Sequence, residues 1–155
     1  MKITFQSFII LPTIYFISTP AFLKAQANRQ SNNHCGVQKS SLRLSIDSGK
    51  VVYIKQCLSC HQADGMGNAD INPPLKGKVI SGDKKKLIEI IINGQAAHEE
   101  INGKTYQNSM PANPVIKDQE IADVITYIRN SFGNKGSVVK VSEVNSVRNI
   151  LKEHQ

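Results

Sequence analysis

A chain of 155 residues, 40% of them hydrophobic, is sized for one domain with a core of its own, and no internal repeat is visible in it. Lys and Arg number 19 against 12 Asp and Glu, for a formal charge of +7. The only basic block is Lys84-Lys85-Lys86 and Trp is absent, so nucleic acid is a poor reading; a mildly basic face that steers an acidic protein partner fits better.

Residues 1–27 have the pattern of an export leader. Lys2 supplies a positive start, Phe5 to Ile17 is mostly apolar but broken by Gln6, Ser7, Pro12 and Thr13, and Ala25-Gln26-Ala27 fits a cleavage site. The apolar run is short and interrupted for a bilayer span, though an uncleaved anchor is the alternative. Loss of Lys2 and Lys24 with the leader would lower the formal charge of +7 by two. Residues 28–45 are polar and read as a flexible N-terminal segment. Cys35 lies there among Asn32, Asn33, His34 and Gly36, without the small apolar residues that would precede a lipid-modified cysteine. It reads as an exposed free thiol or, alternatively, one half of an intermolecular disulfide.

A first helix is predicted from Asp47-Ser48, with Val51, Val52, Tyr53 and Ile54 on an apolar face. It runs into Cys57-Leu58-Ser59-Cys60-His61. Two thiols three positions apart share one helical turn, and a histidine follows at once. That spacing suits two thioether bonds across one haem edge, with the iron ligated from the same turn. A zinc site would want a second Cys/His pair at short spacing, and only Cys35 remains. A thioredoxin-like redox motif would want a βαβ context, which no strand-rich run supplies.

Gln62 to Asn72, with Gly65 and Gly67, reads as an irregular loop that leads into Pro73-Pro74-Leu75. A ligating histidine needs its other ring nitrogen held by an acceptor, and the carbonyl of Pro73 or Pro74 is a candidate for Nδ1 of His61; an ordinary rigid loop is the bland alternative. Ser81-Gly82-Asp83 caps a second helix bearing Leu87, Ile88, Ile90, Ile91 and Ile92, closed by Asn93-Gly94, with Lys84 to Lys86 on its solvent side. Asn102-Gly103 between apolar positions predicts a tight turn. Met110-Pro111 and Pro114 follow, and a third helix begins near Lys117 with Asp118 as its cap and Ile121, Ala122, Val124, Ile125 and Ile128 as its core stripe. Beyond Gly133 the tail carries Val144, Val147, Ile150 and Leu151 at helical spacing behind Ser142, a possible short helix.

An iron held by His61 has a sixth position to fill. Met66 follows His61 by five residues and would need a fully stretched loop around the ring edge. Met110 sits before a proline on a loop between two helices and is the better placed thioether. His34, His98 and His154 are the imidazole alternatives, and an open position is the remaining one.

Cys57-x-x-Cys60-His61, Pro73-Pro74-Leu75, Ile92-Asn93-Gly94 and Met110-Pro111-Ala112, in that order, with the closing helix Glu120 to Arg129 and Ser131-Phe132-Gly133-Asn134, resemble class I mono-haem c-type cytochromes of the bacterial periplasmic type. The resemblance covers about residues 47–134. It implies an all-α class I cytochrome c fold, with helices around one covalently bound haem c. The domain is expected over 46–134 and a C-terminal extension over 135–155. The resemblance further implies thioethers at Cys57 and Cys60, axial ligation by His61 and Met110, and Pro73 rather than Pro74 as the histidine's acceptor. The family's contact between its first and last helices maps to Gly49 or Tyr53 against Tyr127. Gln62 departs from a frequent glycine, and Cys35 has no counterpart.

The function expected is a periplasmic carrier that shuttles single electrons between redox partners with acidic docking patches, with Lys76, Lys78 and Lys104 flanking the haem loops. It is not expected to be an enzyme itself. The alternatives are the haem subunit of a quinoprotein dehydrogenase or oxidase complex, an open-site haem peroxidase, and a non-haem adaptor in which the attachment motif is accidental.

Overall fold

The computed structural model describes residues 39–154. The leader, Cys35 and most of the segment expected to be flexible lie outside the described residues. A first helix, α1, occupies 39–56, and a one-residue turn at Cys57 separates it from α2, Leu58–His61. The helix therefore begins well before the Asp47-Ser48 start that the sequence predicts, and 39–45 is helical rather than irregular. Short polar residues that favour a cap also sit inside a helix when solvent surrounds them, as the largely exposed 39–48 does. After α3 (Lys78–Ser81) and α4 (Lys84–Asn93) comes a two-stranded hairpin, β1 (Glu100–Ile101) and β2 (Lys104–Thr105). Then follow α5 (Asp118–Ile128) and α6 (Val141–Glu153). The fold is all-α apart from that hairpin, whose Asn102-Gly103 turn has both residues at positive φ, 54° and 78°, as a two-residue connection requires.

The core is built by α5. Ile121, Ala122, Val124 and Ile125 are essentially inaccessible, and Tyr53 of α1 and Ile88 of α4 pack with them. Of the apolar stripe expected on α1, Tyr53 and Val52 turn inward while Val51 and Ile54 are each 52% exposed. The α1–α5 crossing is close because Gly49 has no side chain: a Cβ there would overlap the Asp123 carbonyl and touch the Tyr127 Cβ at 2.8 Å. Tyr53 stacks on Tyr127 and Phe132 with ring centroids 5.4 Å apart in both cases. Both alternatives for the helix–helix contact are thus realised, Gly49 in the backbone approach and Tyr53 in the aromatic cluster.

Several end groups differ from expectation. Asp83 does cap α4, accepting from the Lys85 N–H at 2.8 Å. Asp118 is not the cap of α5 but its first residue; Glu120 reaches back instead to accept from the Lys117 N–H at 3.2 Å. Ser142 likewise lies inside α6, and Glu143 accepts from the Lys140 N–H at 2.7 Å. This tail helix buries Val144 and Val147 against α4 and α5, while Ile150 stays 40% exposed. Lys84, expected on a solvated face, is drawn into the α4–α6 seam, where its ammonium donates to the Val138 carbonyl (2.7 Å) and pairs with Glu143 (3.1 Å).

Candidate haem-binding site

The carboxyl end of α1 delivers the thiols and the imidazole. The Cys57 N–H donates to the Tyr53 carbonyl at 2.9 Å, and the His61 N–H to the Cys57 carbonyl at 2.9 Å, so helical bonds hold the pentapeptide on both sides of the turn at Cys57. Cys60 is exposed, Cys57 half-buried and His61 buried. Burial, with a smaller contribution from Cys60, pushes the Cys57 thiol up to about 11, so it is a protonated thiol at neutral pH and a poor redox nucleophile.

His61 Nδ1 lies 3.0 Å from the Pro73 carbonyl oxygen. A carbonyl can only accept, so Nδ1 carries the proton and the lone pair of Nε2 is left for a metal. Burial lowers the His61 pKa and outweighs the opposing effect of the Pro73 hydrogen bond, which keeps the ring neutral, the form that ligates. The loop that brings Pro73 back is short and well bonded. The Gly67 N–H donates to the His61 carbonyl at 3.0 Å, the Leu75 N–H to the Gly65 carbonyl at 2.7 Å, and the Tyr53 hydroxyl to the Gln62 carbonyl at 2.6 Å. Gln62, at φ 64° and ψ 169°, occupies a conformation suited to glycine, which accounts physically for the glycine it replaces. Asn134 ties this wall to the end of α5: its amide donates to the Leu75 and Ile128 carbonyls at 2.8 and 2.9 Å, and its oxygen accepts from the Gly77 N–H at 3.1 Å.

Across the cleft, Met110 and Gln95 exchange both backbone hydrogen bonds, each 2.9 Å. Gly94 makes that approach possible; it sits at φ 75°, and a Cβ would overlap the Met110 carbonyl and come within 2.8 Å of the Ala112 nitrogen. The Asn113 N–H adds a bond to the Ile91 carbonyl at 3.1 Å. The cleft has three lobes, each lined by both His61 and Met110. One, with about 720 Å³ of empty volume, is walled by Leu75, Ile80, Leu87, Ile91, Ile125 and Ile128. A second, of about 690 Å³, opens at Cys57, Cys60 and Pro111. The third, about 470 Å³, also carries the polar side chains of Asn72, Gln95 and Asn108. An apolar slot with two thiols at its mouth, a neutral imidazole on one wall and a thioether on the other has the shape and donor set for a planar iron porphyrin.

The other sixth-ligand candidates are not in this cleft. Met66 is 44% exposed, His98 and His154 are exposed, and none of them lines any of the three lobes. His34 is outside the described residues. Among those residues no group of His, Cys, Asp and Glu could hold a metal ion by itself. A wider groove of about 1700 Å³ between the start of α1 and residues 137–141 carries Lys84 and Asp123 but neither thiol, imidazole nor thioether. The sequence does not show Asn134 as a brace or Phe132 as a third ring beside Tyr53 and Tyr127; the hydrogen bonding of an asparagine past a helix end leaves no periodic signal.

The family model described as cytochrome c matches residues 46–132. A cytochrome c-552 of Thermus thermophilus is 32% identical over 102 residues, which cover 63% of this chain and 68% of that protein. The cytochrome c subunit of a quinone alcohol dehydrogenase from Gluconacetobacter polyoxogenes is 30% identical over 143 residues, 86% of this chain and 29% of that subunit. The gluconate 2-dehydrogenase cytochrome c subunit of Pantoea cypripedii is 31% identical over 106 residues, 65% of this chain and 24% of that protein. The chain thus spans under a third of the dehydrogenase subunits it matches.

Proposed function

The chain belongs to the cytochrome c family, whose members carry covalently bound haem c, and on that premise we propose that it is an exported carrier of single electrons with His61 and Met110 as axial ligands and thioethers at Cys57 and Cys60. The observation that supports the reading is that His61 and Met110 line the same cleft, with Nδ1 of the imidazole hydrogen-bonded to Pro73. Haem c, when bound, supplies an iron that cycles between ferric and ferrous states. The chain's own residues do the rest. The Pro73 carbonyl orients the imidazole and raises its basicity as a ligand. Ile80, Leu87, Ile125 and Ile128 keep water from one face and lower the local dielectric. A thioether ligand favours the reduced state relative to a second imidazole. Were His61 and Met110 both to hold the iron, no position would be left on it for a substrate, which supports a carrier over a peroxidase.

For docking, Lys76 and Lys78 are exposed beside the His61 wall and fit an acidic partner. Lys104 is a weaker candidate, because its ammonium is paired with Asp70 at 2.6 Å and lies 5.5 Å from the centre of the Tyr106 ring. A periplasmic location accords with the leader pattern of residues 1–27, and no helix among the described residues is long and apolar enough to cross a membrane. The alignment with dehydrogenase cytochrome subunits supports a second reading, that the chain serves as the haem subunit of a quinoprotein dehydrogenase complex. Co-purification from the native host separates the two.

Slow carbon monoxide binding by the ferrous protein, together with uptake of one electron per iron in a spectroelectrochemical titration, is the expected result. Rapid carbon monoxide binding would mean an open site and would overturn the carrier reading.

A further inference from the structure

We propose that Arg148, on the helix that extends beyond the family's matched region, is a positioning residue that clamps the Met110-bearing loop shut over the cleft. The inference rests on the reading of Met110 as sixth ligand.

The loop from Met110 to Lys117 is held at its two ends by different means. Its first half is bonded to α4 and the residues just after it, through Gln95 and Ile91. Its second half, Pro114 to Ile116, meets a single guanidinium. Arg148 Nη1 donates to the Pro114 carbonyl at 2.8 Å, Nη2 to the Ile116 carbonyl at 2.7 Å, and Nε to Asp118 Oδ1 at 2.7 Å. Among the described residues no other side chain donates to the backbone of this stretch. The Arg148 and Asp118 side chains are only 16% and 21% exposed, so this is a sheltered fork rather than a solvated surface pair. Pro114 and Val115 are exposed, Val115 at 88%, so packing anchors this stretch only at its last residue, Ile116, which is buried in the core.

A neutral thioether is a weak ligand, and it stays bound only while its loop keeps a high effective concentration of sulfur at the metal. Two of these hydrogen bonds remove conformational freedom from the second half of the loop, at the Pro114 and Ile116 carbonyls, and the third ties the guanidinium to the start of α5. The docking of α6 does not depend on them. Val144 and Val147 are buried against α4 and α5, and Glu143 pairs with Lys84 at the far end of the helix. Loss of the clamp and loss of the helix are therefore separable.

The test is displacement of the methionine by imidazole in the ferric holoprotein, followed by the sulfur-to-iron charge-transfer band, with amide hydrogen exchange at Asn113 and Ile116 as a second readout. An exogenous ligand that binds only the loop-open form has an apparent dissociation constant inversely proportional to the open fraction. Arg148→Gln is expected to bind imidazole about tenfold more tightly than the parent and to exchange faster at both amides, the size of effect typical of losing a charged hydrogen-bond donor. Arg148→Lys, which keeps the charge but not the fork, should fall between. Glu143→Gln, which loosens α6 without touching the loop, should leave the imidazole affinity unchanged. Equal shifts in Arg148→Gln and Glu143→Gln, or no shift in either Arg148 variant, would overturn the clamp. Absence of the band from the parent protein would remove the Met110 reading and the clamp together, an outcome distinct from a band that is present and indifferent to Arg148.

Discussion

The two walls of the cleft are built in contrasting ways. On the His61 wall the contacts that set the imidazole are short in sequence, Tyr53 to Gln62, His61 to Gly67, and His61 to Pro73, twelve residues apart, with Asn134 as a distant brace at Leu75 and Gly77. On the Met110 wall the bridge from Gln95 to Met110 is of similar span, but Arg148 reaches back to Pro114 and Ile116 over 34 and 32 residues. A locally encoded wall forms with the helix that carries it, whereas a wall assembled from distant segments depends on the whole domain being packed. The first should therefore be robust and the second should be the side that opens.

Replacing the ligand itself sharpens this contrast most. Met110→Ala is expected to keep covalent haem and the helical fold, while ferrous carbon monoxide binding becomes fast; slow binding in this variant would mean that another residue holds the sixth position. Gly94→Ala strikes the backbone of the same wall, where a Cβ meets the Met110 carbonyl at φ 75°. A loss of about 1–3 kcal/mol is expected in denaturant unfolding of the holoprotein, and an unchanged midpoint would contradict the close approach. The docking charges come third. Reversing Lys76 and Lys78 to Glu should slow electron transfer to an acidic partner several-fold at low salt and flatten its ionic-strength dependence, roughly as expected for rim charges, whereas Lys104→Glu should do less because Asp70 already neutralises that site. Equal effects at all three positions would break the distinction.

On the His61 wall the expected gain is modest. Gln62→Gly relieves a backbone at φ 64° and ψ 169°, and is expected to stabilise by up to about 1 kcal/mol after the entropy of the added glycine is set against it. A fall in midpoint would show that the Gln62 side chain, which donates to the Ser59 carbonyl at 3.3 Å, matters more than the strain. The smallest effect belongs to the Lys84–Glu143 pair. Burial raises the Glu143 pKa, but the Lys140 N–H and the Lys84 ammonium together outweigh it and leave it lowered. A lowered folded-state pKa stabilises above the ordinary glutamate value of 4.5 and loses that contribution as pH falls through the folded value. The gap in midpoint between parent and Glu143→Gln, under about 1 kcal/mol for so exposed a pair, should close as the pH falls below about 4.5.

The same local-versus-distant contrast governs what can be read from the sequence. Cys57 to His61, the Asp83 cap, the Asn102-Gly103 turn and the α5 core stripe are local patterns, and each has a structural counterpart where it is expected. The choice between Pro73 and Pro74 is not local, because it depends on how the Gly65–Leu75 loop folds back; the geometry puts Pro73 at Nδ1. Gly49 and Tyr53 look like rival contacts in one dimension, since spacing does not reveal that a helix crossing uses a glycine and the next turn's aromatic together. The helicity of 39–46 is hidden because its apolar residues, Leu42, Leu44 and Ile46, alternate with polar ones and carry no helical period. The roles of Arg148 and Asn134 give no signal, since a charged or amide side chain that binds distant carbonyls looks like any solvated residue. Lys84 misleads in the same way.

The account turns on Met110 facing His61 across a bound iron, and the ferric sulfur-to-iron charge-transfer band of the mature holoprotein tests that directly. The band should be present in the parent protein and absent from Met110→Ala, with covalent haem retained by both after denaturation. A parent protein without the band, or a Met110→Ala variant that keeps it, would contradict the account.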